Sequence, residues 1–354
     1  MGKIRPGNRS QLIRRRLFFV GLLAFTLAWS PAARAQTPPL TLKMATLVPQ
    51  GSSWHRILQE MAEEWKTASG GRIAVRLYPG GVAGDDPVVV RKMRLGTLNA
   101  GVLTTVGLGE IDKSVYALGV PMMYDSYDEV YGVLETMRPL LEARLQAKGF
   151  VALAWADVGW VRFFSQKPVA KPDDLRALKL FTWAADTRGV ELLKAARFNP
   201  VPLPSTELGT ALQTGLVQAF SVPPGVALIA QYYNHAKFLT DLDWEMLLGA
   251  VVVTKDAWDK IPADVQVKLR AAAETAGRRL REEIKTGTAR DIEAMKKRGL
   301  TVVAVDAAAR REWHQLADGL YPKIRGSIVP ADAFDEATRS LAAYRAAHKA
   351  ASPK

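Results

Sequence analysis

Strand-like and helix-like patterns alternate between residues 40 and 105, and that succession restricts the possible fold more than any other feature of the chain. Leu40-Thr-Leu-Lys-Met-Ala-Thr46 alternates apolar and polar residues, as a strand does. Pro49-Gln-Gly-Ser-Ser53 breaks the pattern, and Ser52 or Ser53 is placed to cap a helix over 54–69 that Gly70-Gly71 stops. A second alternating run, 72–78, ends at Pro79-Gly80-Gly81; Asp85-Asp86-Pro87 then opens a helix over about 85–95, and 98–105 reads as a third strand. A β-α-β-α-β order needs crossover connections, so the chain is expected to be α/β, with mixed, mostly parallel sheets and helices on their faces.

Further elements follow the same grammar. A helix is expected over 128–148, strands over 150–156, 162–165 and 178–182, and a helix over 186–196. Pro200-Val-Pro-Leu-Pro204 is stiff and extended, and Ser205 opens another helix ending near Gly215. After a strand at 250–254 comes the longest element, 262–298. In it Val265, Leu269, Ala272, Ala276, Leu280, Ile284, Ile292 and Met295 form an apolar stripe, with Gly287 a candidate bend. A helix that long exceeds one small lobe. A last strand (300–305) and an Asp306-capped helix precede a polar, Ala-rich tail from about 336 that is expected to fray.

The first 35 residues point to export. Lys3, Arg5, Arg9 and Arg14-Arg15-Arg16 precede an apolar stretch, 17–29, and Ala33-Arg34-Ala35 is a small-x-small cleavage site. The apolar stretch falls short of the about 20 residues a bilayer span needs. Arg15-Arg16-Leu17-Phe18 also has the twin-arginine character of one export route, so both routes stay open. The leader holds seven Lys/Arg and no acid; without it the 48 basic residues become 41 against 35 acidic, and a net charge of +13 becomes +6. That balance, with no basic run interleaved with aromatics, argues against a nucleic-acid partner. The remaining 319 of 354 residues suffice for two cores, and the chain has no cysteine, so no disulfide supports them. A periplasmic location is expected.

Groups for catalysis are missing. His55, His235, His314 and His348 are scattered without metal-ligand spacing and are expected at the surface. There is no Gly-x-Ser-x-Gly elbow and no phosphate loop. Gly107-Leu-Gly109-Glu-Ile-Asp112 puts Asp112 where a dinucleotide fingerprint has its third glycine. Asp85-Asp86 suits a helix N-terminus better than a metal. No enzyme activity, cofactor or metal is therefore expected.

Against this background the segments Asp174-Leu-Arg-Ala-Leu-Lys-Leu180, Pro200-Val-Pro-Leu-Pro204 and Ala211-Leu-Gln-Thr-Gly215 resemble the solute-binding proteins of TRAP (tripartite ATP-independent periplasmic) transporters. Gly71-Arg-Ile-Ala-Val-Arg-Leu-Tyr-Pro79, Val120-Pro121 with Tyr124, and Pro168-Val-Ala-Lys-Pro-Asp-Asp-Leu175 add to the likeness, in family order, over about residues 40–325. The resemblance implies two lobes hinged about a ligand cleft, with a long helix crossing both and delivery of the ligand to membrane permease subunits. Lobe I would comprise 38–160 plus about 250–282, and lobe II 161–249 plus about 283–335; 1–35 is the leader and 336–354 the tail.

The departures bear on the ligand. The family pattern Leu-Lys-Ile/Leu-Arg-Val carries an arginine that clamps a substrate carboxylate; here the run is Leu178-Lys179-Leu180-Phe181-Thr182. A second family arginine falls at Val161, and Arg162 next to it points to the opposite face of an extended strand. The stretch that reads Asp-Gly-x-Glu-Asn-Pro in the family is Gln218-Ala-Phe-Ser-Val-Pro223, with Ser221 in place of an acid. A phenylalanine at position 181 offers about 2–3 kcal/mol of apolar burial but leaves a buried carboxylate unpaired. The expected ligand is thus not a simple carboxylate held by arginine but neutral, aromatic or hydrophobic. The expected binding residues are Trp54, Thr104, Tyr124, Trp160, Val161, Phe181, Trp183, Ser221 and Trp244. Alternatives are a ligand sensor, a lipid or hydrophobic carrier, or an exported hydrolase. The carrier needs a deep tunnel, and the hydrolase needs Asp157, Asp186 or Glu207 paired catalytically in the cleft.

Overall fold

The structure, a computed structural model, describes residues 1–2, 39–184 and 186–351. The expected leader lies outside the described residues. Among those described, no helix is long and apolar enough to cross a membrane.

Ten strands form in chain order: β1 (Leu40–Thr46), β2 (Ile73–Tyr78), β3 (Ala100–Thr104), β4 (Phe150–Ser165), β5 (Lys179–Trp183), β6 (Asn199–Leu203), β7 (Ala219–Val222), β8 (Phe238–Thr240), β9 (Glu245–Thr254) and β10 (Thr301–Val303). Their lateral order is β2-β1-β3-β9-β4-β7-β5-β6, with β8 joining β4 to β10. The fold is mixed α/β. Parallel pairs lie towards the two ends (β1 with β2 and β3; β5 with β6 and β7), as the crossover pattern requires. The middle is antiparallel, because β9 enters between β3 and β4.

β4 departs from expectation. Two strands, 150–156 and 162–165, were expected; instead one strand of sixteen residues runs through. Its pairing with β9 slips between Ala152 and Ala154 and between Asp157 and Gly159, where Gly159 takes a positive φ of 110°. The glycine is absorbed as a bulge, which keeps the strand paired while bending it. Beyond the bend β4 leaves β9 and pairs with β7 and β8.

The long helix Ala263–Lys296 runs through Gly287 without interruption, since packing of its stripe outweighs the local weakness of glycine. Its first turns join Leu42, Met44, Leu58, Met61 and Trp65 in one core, where the Trp65 indole N–H donates to the Leu269 carbonyl at 3.0 Å. Its last turns place Met295 in a second core with Phe164, Phe181 and Phe220. One helix thus supports both ends of the sheet.

The tail was expected to fray, but as far as Ala351 it is helical. Residues Ala331–Ala351 form a helix against the helix Tyr127–Ala147. Phe334, Ala337 and Leu341 are buried at helical spacing, a stripe that the alanine-rich composition hides. Arg345 donates to Glu129 at 2.7 Å and to Asp125 at 2.8 Å, and reaches the Met123 carbonyl. His55 corrects a second expectation: it is buried, and its Nδ1 accepts the Gly51 N–H at 3.2 Å.

The long helix can lie close to β4 because residue 277 has no side chain. A Cβ there would sit 2.9 Å from the Trp155 carbonyl oxygen. Gly277→Val is expected to cost about 1–3 kcal/mol, read as a lower midpoint in urea unfolding with an unchanged slope.

Candidate functional site

β2 and β6 stand at opposite ends of the strand order, yet the loops that follow them meet. Asp85 occupies the N-cap position of the helix Asp86–Arg94 but makes no side-chain bond to it. Its carboxylate instead accepts the Ser205 N–H at 3.1 Å and the Ser205 hydroxyl, 120 residues away. A sheet whose two ends touch must curl, and the curl encloses a cleft.

Two adjoining cavities of the cleft share Trp183, Val222 and Leu247. One, of about 150 Å³, has mainly apolar walls that include Leu47, Val48, Trp54, Val102 and Ala156. The other, of about 90 Å³, is lined by Val161, Phe181, Ser221 and Trp244 together with three charged side chains, Asp186, Arg188 and Glu245. A third cavity, of about 330 Å³, adjoins the first through Trp54, Val158, Pro223 and Ile284.

Seven of the nine expected residues line these cavities: Trp54, Thr104, Val161, Phe181, Trp183, Ser221 and Trp244. Thr104 is already committed. Its hydroxyl donates to Asp86 at 2.7 Å and its N–H at 2.8 Å, while its Oγ1 caps the following helix through Val106. Burial pushes the Asp86 carboxyl up to about 6 against those Thr104 bonds. Trp244 shows the cavity only part of itself; its ring packs on Phe163 and Trp313 at 5.5 and 5.7 Å.

Two expected residues lie elsewhere. Tyr124 is in the core, with its hydroxyl donating to the Ala117 carbonyl at 2.8 Å. Trp160 packs edge-on against Tyr127 at 5.9 Å, in the same core. Strand phase explains Trp160: its neighbour Val161 faces the cleft, so it cannot. Arg162 obeys the same rule and pairs outside the cavities, with Asp243 at 2.7 Å and Asp241 at 2.9 Å.

The charged trio escaped sequence reading. Arg188, in the first turn of the helix Thr187–Ala195, looks like a surface residue, yet its side chain is only 11% exposed. Its guanidinium lies 3.3 Å from Asp186 and 3.5 Å from Glu245, and 4.5 Å from the Tyr116 ring centroid. Its Nε is buried with no hydrogen-bond partner. Burial opposes its charge, but the two carboxylates outweigh that and hold its pKa above the usual value. Burial in turn raises Glu245, against the pull of Arg188. Nothing in the local sequence could have signalled this, because Glu245 is 57 residues away.

Asp157, at the bend of β4, has both carboxylate oxygens buried without a partner. Burial pushes it up to about 8, with Arg281 pulling the other way. Asp186 pairs with a cation rather than a nucleophile, and Glu207 is exposed, so the pairings required of a hydrolase are not met. Among the described residues no group of acids and histidines is arranged to hold a metal ion.

Comparison with known proteins agrees with this geometry. The sequence profile of the bacterial extracellular solute-binding proteins, family 7, matches residues 44–326. The chain belongs to this family. It is similar to a C4-dicarboxylate-binding periplasmic protein of Rhodobacter capsulatus, 27% identical over 328 residues, covering 90% of this chain and 96% of the relative. A TRAP periplasmic solute-binding protein of Ochrobactrum anthropi, solved with its C-terminus in the ligand-binding pocket, is 28% identical with a TM-score of 0.76, covering 87% of this chain and 97% of that one. One from Ralstonia eutropha, solved with bound (S)-2-hydroxy-2-methyl-3-oxobutanoate, has a TM-score of 0.80 at 23% identity, covering 86% and 99%. The family-7 chain is thus a periplasmic-type receptor for a small molecule, with the two-lobed fold of TRAP solute-binding proteins, and not an enzyme.

Folding raises the pKa of Asp157, so the folded chain holds a proton that the unfolded chain releases. Stability from this group is full below about pH 3.8 and declines as pH rises to about 8. Asp157→Asn is expected to remove that decline. At pH 8 it should exceed the parent by a few kcal/mol, with little difference near pH 4, measured by chemical denaturation at both values.

Proposed function

We propose that this chain is exported by removal of residues 1–35 and works as a solute receptor for a TRAP permease. Lobe I (38–160 with about 250–282) and lobe II (161–249 with about 283–335) close on one small organic molecule, and the closed form is handed to the membrane subunits. The bend of β4 beside Gly159 and the passage of the long helix between two cores support a hinge there. The contact of Asp85 with Ser205 supports a closed state held across the cleft mouth. Ligand needs only to bind the closed form better than the open one for closure to follow.

The ligand is not a simple carboxylate gripped by arginine. The observation that carries this reading is that Phe181 and Val161 line the cleft, at the two positions where the family pattern has arginine. An ionised carboxylate against that wall would lose its hydration without a charged partner. One observation favours a small acid of the kind the relatives bind, and that is Arg188. Its guanidinium, however, is already held between Asp186 and Glu245.

Native mass spectrometry of the purified mature protein identifies the ligand it carries, and calorimetry with that ligand tests the reading. Phe181→Arg is expected to weaken its binding at least tenfold, whereas Arg162→Ala, outside the cavities, leaves it unchanged. An unaltered affinity in Phe181→Arg refutes the assignment of the pocket. Asp85→Ala is expected to weaken binding by about three- to thirtyfold, mostly through faster dissociation, with the order of preference among ligands preserved.

A further inference from the structure

The smaller cavity already contains one cation and two anions before any ligand enters, and one nitrogen of the cation is left without a partner. Of the guanidinium nitrogens of Arg188, one terminal nitrogen faces Asp186 at 3.3 Å and the other faces Glu245 at 3.5 Å. The Tyr116 ring lies 4.5 Å away. Of the three nitrogens only Nε is buried with no acceptor at all, on a side chain that lines the smaller cavity beside Phe181, Trp183 and Ser221. A buried donor left unmade is costly, so such a group in a binding cleft calls for a partner supplied from outside.

We propose that Arg188 is a ligand-positioning residue whose Nε–H takes a neutral oxygen acceptor, the carbonyl of an amide, ketone or lactone, on a ligand that is otherwise apolar or aromatic. This rests on the receptor reading and narrows it to a ligand class. The trio of Asp186, Arg188 and Glu245 has a net charge of −1 when all three are ionised. A ligand carboxylate would raise this to −2 in a buried space, where repulsion is weakly screened. A ligand ammonium would improve the charge balance, but it presents donors to the free N–H and cannot satisfy it. A neutral carbonyl does satisfy it: it accepts one hydrogen bond, adds no charge, and leaves its hydrocarbon body to the neighbouring apolar cavity around Trp54 and Val102. The two acids therefore set specificity as much as the arginine does, by keeping the guanidinium occupied against anions.

The test is a thermal-shift and calorimetric screen of the mature protein with a broad small-solute library that includes matched sets on one body: phenylacetamide, phenylacetone, phenylacetate and phenethylammonium, with aliphatic counterparts. Stabilisation by amides and ketones over their carboxylate and ammonium matches is the expected result. Preference for the carboxylates or the ammonium compounds overturns the ligand class and leaves the receptor reading standing; a library in which nothing stabilises the protein refutes the receptor reading itself. Glu245→Gln, checked for folding by circular dichroism, is expected to shift the amide-to-carboxylate affinity ratio at least tenfold towards the carboxylate. Arg188→Lys keeps the charge but removes Nε and should lower amide affinity about tenfold without admitting carboxylates. Unchanged ratios in both variants overturn the assignment of Arg188.

Discussion

Everything about the cleft follows from one strand serving two pairings. β4 is bonded to β9 for most of its length and to β7 and β8 at its end, with a bulge and a positive-φ glycine between. Because its backbone is continuous, the bend fixes where one half of the fold gives way to the other. Because side chains alternate along it, the bend also decides which of its residues line the cavity. Val161 faces the cavity, while Trp160 and Arg162 on either side of it turn into the core and to an outer acid pair. A slip of one residue would exchange these roles and put a guanidinium in the cleft. The register of one strand is therefore a determinant of the chemistry of the cavity wall.

The energetic character of the cleft is a balance between apolar wall and buried charge. Its apolar cavity is nearly free of charged side chains, and burial alone drives Asp157, whose backbone helps form the bend, to a raised pKa. In the smaller cavity the charges survive only because they are paired: Arg188 stays ionised through Asp186 and Glu245 despite its burial. Removing Arg188 would leave two buried carboxylates without a counter-charge, whereas removing either acid would leave one ion pair. A rigid, partly unsatisfied unit of this kind favours specificity over stability.

The elements were largely legible in the sequence, since alternation, capping residues and glycine stops are local signals. The Ser52 and Asp306 caps and the apolar stripe of the long helix all formed where the pattern placed them. Errors arose where tertiary context overrode a local sign. Residues 157–161 were left between two strands but continue one through a bulge at Gly159; the Ala-rich residues from 336 read as a tail, but as far as Ala351 they belong to a helix that packs on another and is tied down by Arg345. Site residues were legible to the extent that strand phase could be applied, which accounts for Val161 and Arg162, and for the misplacing of Trp160, where the same rule went unused. Tyr124 was misplaced for a different reason, because no periodicity tells a pocket aromatic from a core aromatic. The trio of Asp186, Arg188 and Glu245 was not legible at all, being assembled by contacts across 57 residues.

The relation between position 181 and Arg188 shows why the presence of a guanidinium is a poor guide to ligand charge. A cation recognises an anion through the field it projects into the pocket, and that field depends on what else is within a few ångströms. An arginine alone on a cleft wall projects a full positive charge. Arg188, clasped between two carboxylates, has its charge cancelled when both are ionised and keeps the directionality of its unpartnered Nε–H. With an aromatic ring lining the cavity at position 181, the proposed recognition is by shape and a directed hydrogen bond in place of charge.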